Sequence, residues 1–255
     1  MILLGGVVIG GLVVHGRAPA PPSVEKARER FRSSNTSKGL ESGGRPPAGV
    51  YTAAGSGREK LSVQTTSQKI GPTLPLTVTW RGNDCFELRL DFNANHWQTW
   101  NYCRSNRSLV DHGGTVFQRF DFVVVKPETT SRSVCDPPAV VVRAGMRPGD
   151  TWQQSCRGVS EGAGSNISAG PNTYIGREAV DVGGVEEPAY HLRSRRTLTG
   201  SQTGTEQDDL WVAVDTGLPL ESRWTEVVHS PSPIGTVTYS EDGRWTLEAL
   251  KPTAH

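Results

Sequence analysis

From Val50 to Leu250 the chain repeats one pattern, a short alternating apolar/polar run closed by Gly, Pro, Asn or Asp. The runs fall at Val50–Val63, Thr73–Arg81, Cys85–Cys103, Leu109–Val125, Ala139–Arg143, Thr151–Ser160, Tyr174–Val182, Ala189–Thr199, Leu210–Val214, Leu220–His229 and Thr236–Leu250. Residues alternating with a period of two place one face of a strand on a core and the other in water. Parallel strands would need long crossovers, usually helices, and no helical period separates these runs. A mainly β domain is therefore predicted, an antiparallel meander forming a curved sheet, half-barrel or barrel.

Register is most explicit between Cys85 and Cys103, which are equidistant from Ala94 in the turn Asn93-Ala94-Asn95. Folding there sets Phe86 against Tyr102, Leu88 against Trp100 and Leu90 against Gln98 on one face. Cys85 then lies opposite Cys103, within disulfide reach, and Cys135 remains to pair with Cys156. Two bridges, with no Cys-x-x-Cys spacing for zinc, imply an oxidising compartment. The domain is accordingly expected outside the cytoplasm.

The first residues bear on how it is held there. Ile2 to Val14 is continuously apolar, and Ala18-Pro19-Ala20 resembles a cleavage site but is followed by Pro21 and Pro22. Residues 1–22 are expected to be a retained hydrophobic anchor helix, giving a single-pass protein of the cell membrane; cleavage would instead give a secreted one. Residues 23–49 are read as a short helix, Val24–Phe31 capped by Ser23, and a Ser/Gly/Pro linker. Residues 50–255 form the β domain. Gly57-Arg58-Glu59 recurs as Gly176-Arg177-Glu178, which suggests two related halves, 50–125 and 138–250, joined near 126–137.

Chemistry is sparse. With 27 Lys+Arg against 26 Asp+Glu and no basic stripe, nucleic acid is not an expected partner. Val214-Asp215-Thr216-Gly217 imitates an aspartic-protease turn, but that chemistry needs two carboxylates sharing a proton and the chain has one such turn. Asp215 and Gly217 are instead read as a hairpin tip, with Asp215 accepting backbone hydrogen bonds. Gly158-Val159-Ser160-Glu161-Gly162 satisfies a hydrolase pattern, yet a loop composition follows where a helix is required. No two of His96, His112, His191 and His229 stand at ligand spacing, so a metal site would have to be assembled by tertiary structure. No cofactor and no catalytic residue is expected.

The segment Tyr174 to Trp224, with Gly176-Arg177-Glu178-Ala179-Val180 followed by Trp211-Val212-Ala213-Val214-Asp215-Thr216-Gly217-Leu218-Pro219-Leu220, resembles a pattern in bacterial envelope proteins. It is similar to the half-barrel lipoprotein-carrier group, the LolA, LppX and RseB-like proteins, and to uncharacterised exported β proteins. That resemblance implies a curved antiparallel sheet whose concave face holds acyl chains or packs a helix. The functional expectation is a membrane-anchored extracytoplasmic domain that binds a lipid or other apolar or envelope-derived ligand, with Phe86, Leu88, Leu90, Trp100 and Tyr102 on its concave face. The alternative is a structural or protein-interaction module of the envelope with no small ligand, in which the same residues are core.

Overall fold

The computed structural model describes residues 18–34, 44–63, 67–105, 108–120, 128–161, 164–232 and 235–253. One helix, α1 (Val24–Ser33), precedes thirteen strands: β1 (Gly49–Leu61), β2 (Gln68–Ile70), β3 (Thr73–Trp80), β4 (Cys85–Asn93), β5 (His96–Ser105), β6 (Ser108–Arg119), β7 (Glu128–Val142), β8 (Thr151–Ser160), β9 (Gly164–Val182), β10 (Val185–Gly200), β11 (Thr203–Ala213), β12 (Pro219–Ser232) and β13 (Gly235–Leu247). From β3 to β13 each strand pairs antiparallel with the next, and β13 returns to β1 in register from Ala53↔Leu247 to Leu61↔Tyr239. The sheet is thus a closed barrel of twelve antiparallel strands, not a half-barrel. Closure leaves β2, a short strand beside the far half of β1, with a free edge, and among the described residues β7 and β8 pair over only four residues each.

The Cys85 hairpin has the register expected from its alternation, with Phe86↔Tyr102, Leu88↔Trp100, Leu90↔Gln98 and Cys85↔Cys103. Both disulfides are formed, Cys85–Cys103 and Cys135–Cys156. Alternation turns the first outward, whereas Cys135 and Cys156 lie on the inner wall. Residues 128–137, within the stretch 126–137 that the sequence reading sets between two halves, lie in β7. Its polar run pairs with β6 from Gly113↔Val134 to Arg119↔Glu128 and with β8 from Ser131↔Ser160 to Val134↔Arg157. Ladder hydrogen bonds on both sides outweigh its weak apolar signal.

The barrel interior divides along its axis. At the end carrying the β3–β4, β5–β6 and β11–β12 connections, Tyr51, Leu76, Val78, Phe86, Leu218 and Leu220 belong to one packed apolar cluster. Burying such side chains contributes roughly 1.5–3 kcal/mol each. Towards the opposite end the inward positions become polar. The outer wall carries charge, including Arg58 paired with Asp242 at 2.8 Å and the exposed Arg195 and Arg223. That face differs from the apolar band of a membrane-spanning barrel.

Helix α1 lies on the outer wall. Ser23 caps it by accepting from Lys26 N at 3.2 Å, and Ala27 and Phe31 pack on Val50 of β1. Arg30 reaches Asp91 of β4, which Arg89 also contacts at 2.8 Å. The anchor expected over residues 1–22 falls mostly outside the described residues. Among the described residues no helix is long and apolar enough to cross a membrane.

Candidate functional site: a polar lumen

The polar half of the interior encloses a cavity of about 380 Å³. Its walls follow from strand register, because directly paired residues on neighbouring strands point the same way. Four successive inward rungs run from β10 through β11, β12 and β13 to β1. The lowest is Leu192, Leu210, Ser222, Trp245 and Gly55; above it come Ser194, Asp208, Trp224, Gly243 and Gly57. The third rung is Arg196, Glu206, Glu226, Glu241 and Glu59, and the fourth is Leu198, Gly204, Val228, Tyr239 and Leu61. A charged belt therefore lies between a mixed rung, with Ser194, Asp208 and Trp224, and a largely apolar one. Gly243 is needed there, since a Cβ on it would meet the Trp224 ring at 2.5 Å.

One side of the lumen is organised by Arg196. Its guanidinium lies 3.8 Å from Glu206 and donates to Gln154 Oε1 at 3.2 Å. Ser222 donates to Asp208 at 2.7 Å. Burial, reinforced by the nearby Glu206 charge, pushes the Asp208 carboxyl up to about 7. Burial likewise raises Asp111, against the hydrogen bond it accepts from Gly113 N at 2.8 Å. Ser194 Oγ and Arg196 Nε are buried without a hydrogen-bond partner among the described residues. Such groups cost free energy unless something binds them.

The other side gathers around His96, whose Nδ1 lies 3.1 Å from Glu59 Oε2. Asn93 Nδ2 donates to Glu59 at 2.8 Å, Trp224 Nε1 donates to Glu241 at 2.7 Å, and the Tyr239 hydroxyl reaches both carboxylates. Burial opposes charge on Glu59, but His96 and these hydrogen bonds outweigh it and hold the carboxyl below its ordinary value. Burial also opposes the imidazolium, and the charges of Glu59 and Glu241 overcome that and raise His96. Glu241 is raised by burial, and Glu226 is pushed to about 8 by burial and by Glu206 and Glu241 beside it.

The residues expected on a concave apolar face divide between two environments. Phe86 and Leu90 are fully buried in the packed end. Leu88, Trp100 and Tyr102 border the cavity, with Leu88 and Tyr102 also in the apolar cluster. Most residues bordering the cavity carry hydroxyl, amide or charged groups, while apolar atoms supply the larger share of its surface. Those groups went unnoticed in the sequence, although Glu226 and Glu241 stand in phase with Leu220 and Trp245 on their strands, an alternation that marks acidic residues on an inward face.

At the β11–β12 tip, Gly217 has φ +74 and donates to Ala213 O at 2.9 Å. Thr216 Oγ1, rather than the Asp215 carboxylate, accepts from the backbone, at Leu218 N, while Arg104 holds the Asp215 and Thr216 carbonyls at 3.0 Å. Ser160 lies in β8 and bonds Ser131 at 2.7 Å. His191 sits on the outer wall between Glu178 and Asp209, at 2.8 and 2.7 Å, stacked on Trp211.

No family model and no curated protein matches the chain. Among solved structures it is similar to the hypothetical lipoprotein YmcC from Escherichia coli (K12), at 11% identity over 84% of this chain and 94% of that one, with a TM-score of 0.36. Similarity at that level establishes no shared function.

Proposed function

We propose that the chain is an extracytoplasmic binding domain whose lumen takes a small polyhydroxylated solute, such as a sugar or a short envelope-derived glycan. The observation that carries this reading is the wall chemistry. Amides (Gln154, Asn172), hydroxyls (Ser194, Ser222), the Arg196/Glu206 pair and indoles (Trp100, Trp224) surround a cavity of about 380 Å³. This size is within the roughly 300–1,000 Å³ of small-molecule sites, where a few polar groups fix orientation. Ring hydroxyls would partner Ser194 Oγ and Arg196 Nε, and indole faces suit the apolar faces of a sugar ring. The lipid alternative is disfavoured, because an acyl chain in this half would leave those buried groups unsatisfied. The two disulfides support a location outside the cytoplasm.

The test is a thermal-shift screen of mono- and disaccharides beside fatty acids and lysolipids, followed by calorimetry on each hit. A sugar that raises Tm by mass action, and loses that effect in Arg196→Ala, supports the reading. Stabilisation by acyl ligands alone would overturn it. The interaction-module alternative rests on the exposed Val134, Val159 and Ile167 on neighbouring strands β7–β9.

A further inference from the structure

We infer that the lumen holds a second site, for a divalent transition-metal ion, formed by Glu59 of β1, His96 of β5 and Glu241 of β13. One ligand atom from each lies within 4.8 Å of the other two, and all three residues are buried. Two ligands on one tetrahedral Zn²⁺ at about 2.0–2.2 Å stand about 3.3–3.6 Å apart, so the ligand atoms must draw together by up to about 1.5 Å. Small side-chain rotations therefore suffice to close the site.

Charge along the belt points the same way. Glu206, Glu226, Glu241 and Glu59 are consecutive cross-strand neighbours, and like charges so placed repel. With all carboxylates ionised they carry four negative charges, against one each from Arg196 and a protonated His96. A divalent cation displacing the His96 proton halves that excess, from two negative charges to one, and the outer donors are already in place. Trp224 Nε1 fixes Glu241 and Asn93 Nδ2 fixes Glu59, each by a hydrogen bond to the oxygen Oε1. Such second-layer contacts orient metal ligands.

Two further observations concern polar side chains beside Glu59. His96 Nδ1 approaches Glu59 without hydrogen-bond alignment, and so has no hydrogen-bond partner although the residue is only 2% exposed. Gln68, directly opposite Glu59 on β2 and 4% exposed, leaves both its amide nitrogen and oxygen unpartnered. One imidazole with two carboxylates suits Zn²⁺ or Mn²⁺ better than Ca²⁺, which takes six to eight oxygens. Three protein ligands leave a fourth coordination position for water or a lumen solute.

The three metal ligands are not among the side chains assigned to the solute, although Trp224 borders both sites, so metal binding and solute binding can fail separately. The experiment is calorimetric titration of chelator-treated full-length protein with ZnCl₂ and MnCl₂, repeated on His96→Gln, Glu241→Gln, Trp224→Phe and His191→Gln, with near-ultraviolet dichroism to confirm folding. The expected result is one equivalent bound. Affinity falls by at least about a hundred-fold in His96→Gln and Glu241→Gln, by about ten-fold in Trp224→Phe, and stays unchanged in His191→Gln. Absence of stoichiometric binding to the wild type overturns the site, as does binding that is unaltered in folded His96→Gln or in Trp224→Phe.

Discussion

Replacing Asp208 by Asn should make the barrel more stable at high pH and leave it nearly unchanged at low pH. In the folded protein the carboxyl keeps its proton up to about pH 7, whereas its ordinary value is 3.8. Folding takes up a proton between those limits, so stability falls as pH rises through that window. The penalty is absent below pH 3.8 and complete above about 7. A separation of about three pH units corresponds to on the order of 4 kcal/mol. Asp208 faces a lumen that admits solvent, which screens its charge, so about 2 kcal/mol is the realistic magnitude. Asn keeps an oxygen to accept from Ser222 Oγ, now 2.7 Å from Asp208 Oδ1, and cannot ionise. Thermal and urea unfolding of both proteins at pH 5, 7 and 9 measures the difference. A gap of under about 1 kcal/mol at pH 5 that widens to about 2 kcal/mol at pH 9 is expected. Parallel curves, or a gap widest at pH 5, would refute the burial of this carboxyl in the lumen.

Other consequences concern the framework. Replacing Cys85 and Cys103 together by Ser, which opens a link spanning 18 residues, should cost about 3 kcal/mol by urea unfolding under non-reducing conditions. Gly217→Val, at φ +74, should cost about 1–3 kcal/mol, while Asp215→Asn should change stability by less than about 0.5 kcal/mol, because the Asp215 contact to Arg104 uses its backbone carbonyl. Gly243→Ala, whose methyl would meet the Trp224 ring at 2.5 Å, should displace that indole and shift the near-ultraviolet dichroism of the folded protein, with a cost of about 1–3 kcal/mol.

Local chemistry was readable from sequence wherever two signals coincided on neighbouring residues. The Cys85 hairpin combined alternation with symmetric cysteines, and its register matches strand for strand. The tip at Gly217 was readable as a turn, but which side chain satisfies the backbone depended on Thr216 rather than Asp215. β7 was missed at residues 128–137 because its order comes from two neighbouring strands, not from its own apolar content. Closure of the barrel depends on β1 meeting β13, a pairing of segments about 180 residues apart with no local signature. The carboxylate belt depends on that closure, since Glu59 and Glu241 become neighbours only across the seam. His96 carries no ligand spacing in the sequence, and reaches them only through the position of β5 on the wall.

The lumen's capacity to hold a solute is tested most directly by native mass spectrometry of the protein purified from its own cells, beside a Ser194→Phe variant. Ser194 is buried and borders the cavity, so an aromatic ring there would occupy the space assigned to the ligand. The account predicts a noncovalent adduct of sugar-like mass on the wild type and a bare mass for the folded variant. A bare wild type in repeated preparations, or the same adduct on both proteins, would contradict it.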